Sequence, residues 1–284
     1  MFRPQLSLLI WLCLMITASD PAAALDRGDT RAAHRESGSA RLQVLWVASE
    51  GWAGSDAEGH PQGLAVELMQ RFAGWLEEAH GISVSLDFVE ERSWRRFYGR
   101  IREAEGGVFG LGNVTITETR RQELAFSPPY VDNIAVLASH AGLAQLQDPA
   151  DLATHFEGRR ALGFAGTLHE SRLAALAKAY WPDMPLDAAG SNDEILAALA
   201  ADTHFGYLDA YVFHRAQARG LPVRRHSALD ARDEQFGIIM PLDNDWQGLL
   251  AEFFALDDGL MQAPWYREAM ARHLGPELAE LLLP

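Results

Sequence analysis

One chemistry that this chain's residue types allow is capture of an anion by arginine. Arg120 lies in the stretch NVTITETRRQELAFSPPY, Asn113 to Tyr130, which crowds two arginines, three threonine hydroxyls and a Pro-Pro-Tyr together. A guanidinium presents two parallel N–H donors at the spacing of a carboxylate's oxygens, so an arginine in a cleft that sheds water binds carboxylates strongly and selectively. From the residues alone, Arg120 and Arg121 read better as solvated cations at a helix start than as ligand contacts. Thr117 stands three positions before Arg120, the offset of an N-cap hydroxyl. Thr115 and Thr117 are two apart, so an extended segment puts them on one side. Further along, Gly166 and Thr167 open a helix whose free N–H groups and positive end suit an anion, with the Thr167 hydroxyl as an added donor.

Other chemistries find less support. Ten histidines are present, and His204, His214 and His226 fall in one region. Their spacings match no compact ligand set and no cysteine assists, so structural or surface roles are expected and no metal. G-x-S-x-G, the P-loop and H-E-x-x-H are absent, which removes the common hydrolase and nucleotide signatures; no cofactor is expected. A net charge of −15 would repel phosphate backbones and argues against nucleic acid.

These groups need elements to hold them. LQVLWVAS reads as a buried strand, EGWAGSDAEGHPQG as a loop, and LAVELMQRFAGWLEEAHG as a helix with Leu64, Leu68, Phe72 and Leu76 on one face and Gly81 as its C-cap. VSLDFVE is a second strand, and Ser93 starts a short helix. NIAVLAS is another strand, followed by a second α/β series: RRALGFA, TLHESRLAALAKAYW, NDEILAALAAD with Ser191 and Glu194 as a capping box, and HFGYLDAYVFHRAQARG as strand into helix. FGIIMPL is a further strand. Two amphipathic helices, broken at Asp257, Asp258 and Gly259, close the chain. Alternation of strand and helix in two series predicts an α/β protein of two lobes, with a ligand cleft between them.

The first residues read as an export signal. Arg3 precedes an apolar run from Leu6 to Ala18 that is short of the ~20 residues a membrane-spanning helix needs. Ala22 and Ala24 provide the small pair for cleavage after Ala24, so a periplasmic location is expected. The only cysteine, Cys13, falls inside that run, which leaves the exported protein without thiol or disulfide and dependent on core burial. Residues 25–40 are polar, lack an apolar period and read as a flexible leader.

In order along the chain, several stretches resemble the bacterial extracellular solute-binding proteins of family 3, the type II periplasmic binding proteins of amino-acid ABC importers. HPQGLAVELMQ looks like the family's "dG…GfdvDl" element with Glu67 in place of the usual aspartate. NVTITETRRQELAFSPPY looks like its "T-I-T-x-x-R…FSxPY" signature. GFAGTLHE is similar to its "G-x-x-x-G-T" turn, SNDEILAALAADTHFGYLDAYVF to its helix and "D-A" strand, and LDDGLMQAPWYREAMARHL to its closing helix.

The resemblance implies a two-lobed periplasmic binding protein-like fold (type II), each lobe a small sheet flanked by helices, joined by a two-strand hinge. Residues 41–133 and 234–284 would form lobe 1 and residues 134–233 lobe 2. It implies a monomer that captures a carboxylate-bearing, amino-acid-like solute for an ABC permease and is not an enzyme. Arg120 takes the family's carboxylate-binding position, Thr115 and Asn113 line the cleft, and Thr167 completes the anion site from the second lobe. The position of the ammonium-binding acid falls at His214, a weaker partner for an amine. Glu50 matches a second acidic contact, Asp209 lies close by in sequence, and Trp52 is either an aromatic wall or core. The alternatives are a dehydratase-like enzyme on the same fold, with Glu50 or Glu170 as general acid, and a sensory or accessory binding protein.

Overall fold

The structure, a computed structural model, describes residues 25–283. The expected export signal, residues 1–24, lies outside the described residues. Eight strands form the frame: β1 (Ala40–Trp46), β2 (Val84–Glu90), β3 (Val108–Thr115), β4 (Val131–His140), β5 (Arg160–Phe164), β6 (Leu186–Ala189), β7 (His204–Asp209) and β8 (Ala231–Met240). They lie in the order β6-β5-β7-β4-β8-β3-β1-β2, with Val223–Arg225 added beside β4 and Ala125–Phe126 beside β8. β1 pairs in parallel with β2 and β3, and β5 pairs in parallel with β6 and β7, so each end of the frame is a small parallel sheet.

Between these ends run the two long strands. β4 is antiparallel to β7 on one side and to β8 on the other, while β8 continues antiparallel to β3. Both strands therefore take part in both halves, and they are hydrogen-bonded to each other midway, where Asn133 faces Glu234 and Val131 faces Phe236. Ser127 braces this crossing by exchanging hydrogen bonds with Ile238: its backbone N–H donates to the Ile238 carbonyl and its hydroxyl accepts from the Ile238 N–H, both at 2.9 Å. The molecule is an α/β protein of two lobes joined by a two-strand hinge.

Eight helices cover the sheets: α1 (Leu64–His80), α2 (Trp94–Glu103), α3 (Leu168–Tyr180), α4 (Asn192–Ala200), α5 (Ala210–Ala218), α6 (Gln247–Phe254), α7 (Pro264–Leu274) and α8 (Pro276–Leu282). The apolar spacing of α1 does what the sequence implies. Leu68, Phe72 and Leu76 are fully buried, each contributing about 2 kcal/mol of burial free energy, and Gly81 closes the helix at a left-handed φ of 64° with its N–H on the Glu77 carbonyl. Glu67, on the same helix, ties α1 to α7. Against the burial that would raise it, hydrogen bonds from Arg272, His273 and Arg71 hold its carboxyl down at about 2.

Two expectations are corrected. Residues 25–40 are built into the first lobe: Thr30 caps a helix over Arg31–Ser37, Arg27–Gly28 pairs with Glu105–Gly106, and Arg100 makes a two-pronged ion pair with Asp26. These are polar anchors, which an apolar-periodicity argument does not detect. The last predicted helix is two, because Gly275 at φ 90° interrupts it between α7 and α8. Among the described residues, no helix is long and apolar enough to cross a membrane.

Candidate ligand-binding cleft

The sequence around Arg120 folds into a bulge followed by one tight turn of helix. Gly237 of β8 pairs with Val114 and Ile239 with Gly110, so the β3 segment between Gly110 and Val114 is longer than the segment it faces and bows outward. Asn113 sits in that bulge at φ 52°, a left-handed conformation that asparagine tolerates better than most residues. The Tyr130 hydroxyl donates to its Oδ1 at 2.7 Å and fixes the side chain. Thr117 then caps the turn Glu118–Arg121, its hydroxyl accepting from the Arg120 N–H at 3.2 Å as the spacing predicts. That cap aims Arg120 inward and leaves Arg121 exposed above the Phe126 ring.

Asn113, Thr115, Arg120, Thr167 and Asp209 are brought together around an inner cavity of about 70 Å³. Trp94, Phe164, Tyr211 and Phe236 supply its apolar walls. Arg120 Nη1 donates to the Thr115 carbonyl at 2.9 Å, and its guanidinium lies 5.8 Å from the centre of the Tyr98 ring. Among the described residues no carboxylate forms an ion pair with it. Burial lowers its pKa, but guanidinium starts so high that it stays charged at neutral pH. A half-buried cation held only by neutral groups is well suited to a carboxylate ligand.

Opposite lies a network of acids that the sequence did not disclose. Glu234, 2% exposed on β8, accepts from the Thr115 hydroxyl and from Asn133 Nδ2, each at 3.1 Å, and its other oxygen pairs with Arg172 of α3. The same Asn133 amide donates to Asp209 at 2.6 Å. His169 stands 3.3 Å from Asp209 through Nε2, while its buried Nδ1 has no partner among the described residues. Thr167 N-caps α3 in position, although its hydroxyl donates to the Phe164 carbonyl at 2.8 Å.

A second, outer cavity of about 300 Å³ adjoins the first, sharing Trp94, Gly112, Phe164, Asn192 and Tyr211 with it. Glu50 lines this outer cavity and not the inner one, with its carboxylate on Arg219 and 4.0 Å from Arg215 Nε. Its partners are on α5 and at its C-terminal end, so this contact bridges the mouth between the lobes.

Two expected contacts lie elsewhere. Trp52 is 1% exposed and packed edge-on against Tyr211 and Phe236, so it belongs to the core of the first lobe. His214 is outside both cavities because β7 ends at Asp209 and α5 begins at Ala210. Helical spacing then turns Tyr211, Arg215 and Arg219 toward the cleft and His214 toward α8, where it meets Glu277 at 3.7 Å. Asp209, at the strand end, is the acid that reaches the inner cavity. Glu170, the candidate general acid, accepts from the Gly166 N–H at 3.0 Å and lines neither cavity. Glu234 and His169 were legible only weakly: ARDEQF reads as a polar turn before FGIIMPL, and His169 as one more residue of a helix start.

No family model and no curated protein matches the chain. Solved structures do. A binding component of an ABC transporter from Wolinella succinogenes, complexed with lysine, superposes with a TM-score of 0.63 at 20% identity, covering 82% of this chain and 94% of that one. The arginine-, lysine-, histidine-binding protein ArtJ from Geobacillus stearothermophilus gives 0.61 at 18% identity, covering 85% and 99%. The GluR0 ligand-binding core from Nostoc punctiforme, in complex with L-glutamate, gives 0.61 at 17% identity, covering 83% and 100%. At these identities the similarity establishes the fold: two lobes of the type II periplasmic binding protein architecture.

Proposed function

We propose that this protein is a solute-binding protein that captures an amino-acid-like zwitterion in the inner cavity and delivers it to an ABC permease. The observation that carries the reading is Arg120, a half-buried guanidinium with a backbone carbonyl as acceptor and no paired acid among the described residues, lining the same inner cavity as Asp209. Its free donors fit a carboxylate bidentately, and Asp209, lightly held by an amide and an imidazole, suits an ammonium group. Glu234 and Arg172 offset one another, so the cavity complements a ligand of zero net charge.

Arg120 follows β3, whereas Asp209 and Thr167 belong to the far side of the hinge. A ligand held by both is fully bound only when the lobes are shut, so binding shifts the population toward closure. Closure is what a permease would read. Neither expected general acid is aimed at a substrate in the inner cavity: Glu50 is engaged by arginine at the mouth, and Glu170 folds back on Gly166. The boundaries we assign to the lobes, residues 41–133 with 234–284 and residues 134–233, follow from where β4 and β8 cross. The periplasmic location rests on the expected export signal.

The test is a thermal-shift screen of the purified protein against amino acids, keto acids, polyamines and sugars, followed by calorimetry on each hit. Binding to the folded state raises the melting temperature by mass action. Amino acids should shift it and Arg120→Ala should sharply reduce the shift while the variant still folds. A response to sugars alone, or undiminished amino-acid affinity in Arg120→Ala, sinks the reading.

A further inference from the structure

The outer cavity is where a ligand's side chain would extend once its backbone groups occupied the inner one, and its charges are unevenly placed. Arg92, Arg215 and Arg219 line it, against Glu50 and Asp193. Glu50 is already engaged, bound by Arg219 and close to Arg215. Asp193 is exposed to solvent on the rim, and Arg92 is an exposed cation with only a loose contact to Glu90 at 3.9 Å.

Arg215 differs from these. Its side chain is 14% exposed, its only ion pair is the 4.0 Å approach to Glu50, and its Nη1 is buried without an acceptor among the described residues. Gly51, at φ 76°, makes room for it: a Cβ there would come within 2.4 Å of Arg215 Nη2. Facing it across the cavity, Ser191 and Asn192 form the start of α4, whose positive end adds to the same potential. A cationic side chain entering this space would have to displace an arginine from Glu50. An anionic one would meet Arg215, whose only ion-pair partner among the described residues is Glu50 at 4.0 Å, together with the exposed Arg92.

We propose that the outer cavity selects an anionic side-chain group, so that the ligand is an acidic amino acid or an analogue with a carboxylate, sulfonate or phosphonate at that end, with Arg215 the specificity-determining residue. This rests on the reading of the inner cavity as an amino-acid site and deepens it.

Calorimetry on the purified protein with L-glutamate, L-aspartate, their amides L-glutamine and L-asparagine, and L-arginine and L-lysine tests it. At least one acid should bind ten-fold or more tightly than its own amide, and the cationic amino acids should bind more weakly than either. Arg215→Met should erase the preference of acid over amide. Equal affinity for acid and amide, or preference for arginine or lysine, overturns the proposal, and the wild-type comparison decides this even where Arg215→Met does not fold. The two levels fail separately: amino acids bound in an Arg120-dependent way without acid preference refute the side-chain assignment alone, whereas no amino-acid binding at all refutes both.

Discussion

In the inner cavity, Asp209 and Glu234 are hydrogen-bonded by one amide, Asn133, and Arg120 has only a backbone carbonyl. In the outer cavity, Glu50 and Arg219, more than half exposed, meet across the mouth of the cleft. The inner charges are enclosed and pre-positioned, so each interacts strongly with a ligand and is costly to strand without a partner. The outer pair is solvated on both sides and can part cheaply when the lobes open. On the proposed function, one cleft would separate two tasks: tight holding near the hinge and reversible closure at the rim.

The largest expected effect attacks the enclosed network. Glu234→Ala removes one partner of Arg172 and the acceptor of Thr115 and Asn133, and should lower stability by about 3 to 4 kcal/mol in urea unfolding. A loss under about 1 kcal/mol would mean that the inner network is no better enclosed than the rim. Next comes a buried histidine far from the cleft, a control on whether enclosure alone gives large effects. His226, fully buried, accepts the Leu146 N–H on Nδ1 and stands 2.7 Å from the Ser139 hydroxyl through Nε2, which requires a neutral ring. Burial pushes its pKa from 6.5 down to about 4, with His155 and Arg224 adding to the effect. Below pH 6.5 the unfolded chain takes up a proton that the folded chain refuses, so stability falls as pH drops from 6.5 toward 4, by up to roughly 3 kcal/mol. His226→Gln should remove that part of the acid sensitivity.

Arg120→Ala should weaken ligand binding by about 2 to 3 kcal/mol, a loss of roughly 30- to 150-fold, with the melting temperature of the free protein unchanged or raised. Calorimetry and thermal unfolding report the two halves of that statement. The smallest effect belongs to the rim. Glu50→Ala should cost under ~1 kcal/mol in the affinity for a neutral amino acid, a difference that shrinks with added salt. A loss matching that of Arg120→Ala would erase the distinction between the cavities.

The inner cavity was partly legible because Arg120, Thr115 and Asn113 occupy one ordered stretch, and because Thr117 caps by a local rule. Glu234 was not, since its role depends on facing Asn133 across two strands that are distant in sequence. His214 misled by one structural fact: β7 ends at Asp209, and the residue expected to reach the ligand a few positions after the strand lies on the helix face turned toward α8. Trp52 illustrates a further limit. A tryptophan in a glycine-rich loop reads as available, yet Tyr130, Tyr211 and Phe236 enclose it. The strands, helices and most caps followed from periodicity, whereas the anchoring of residues 25–40 rests on single ion pairs and backbone contacts that leave no periodic trace.

Glu234 belongs to one of the two crossing strands and is at the same time a wall of the inner cavity. A ligand bound as proposed would sit beside these crossing strands, on the short arm of a lever whose long arms would end at Glu50 and Arg219. On that reading a small displacement at β8, passed through Asn133 to β4, would become a larger one at the rim, so a few atoms of ligand would set the shape that the outside of the protein presents.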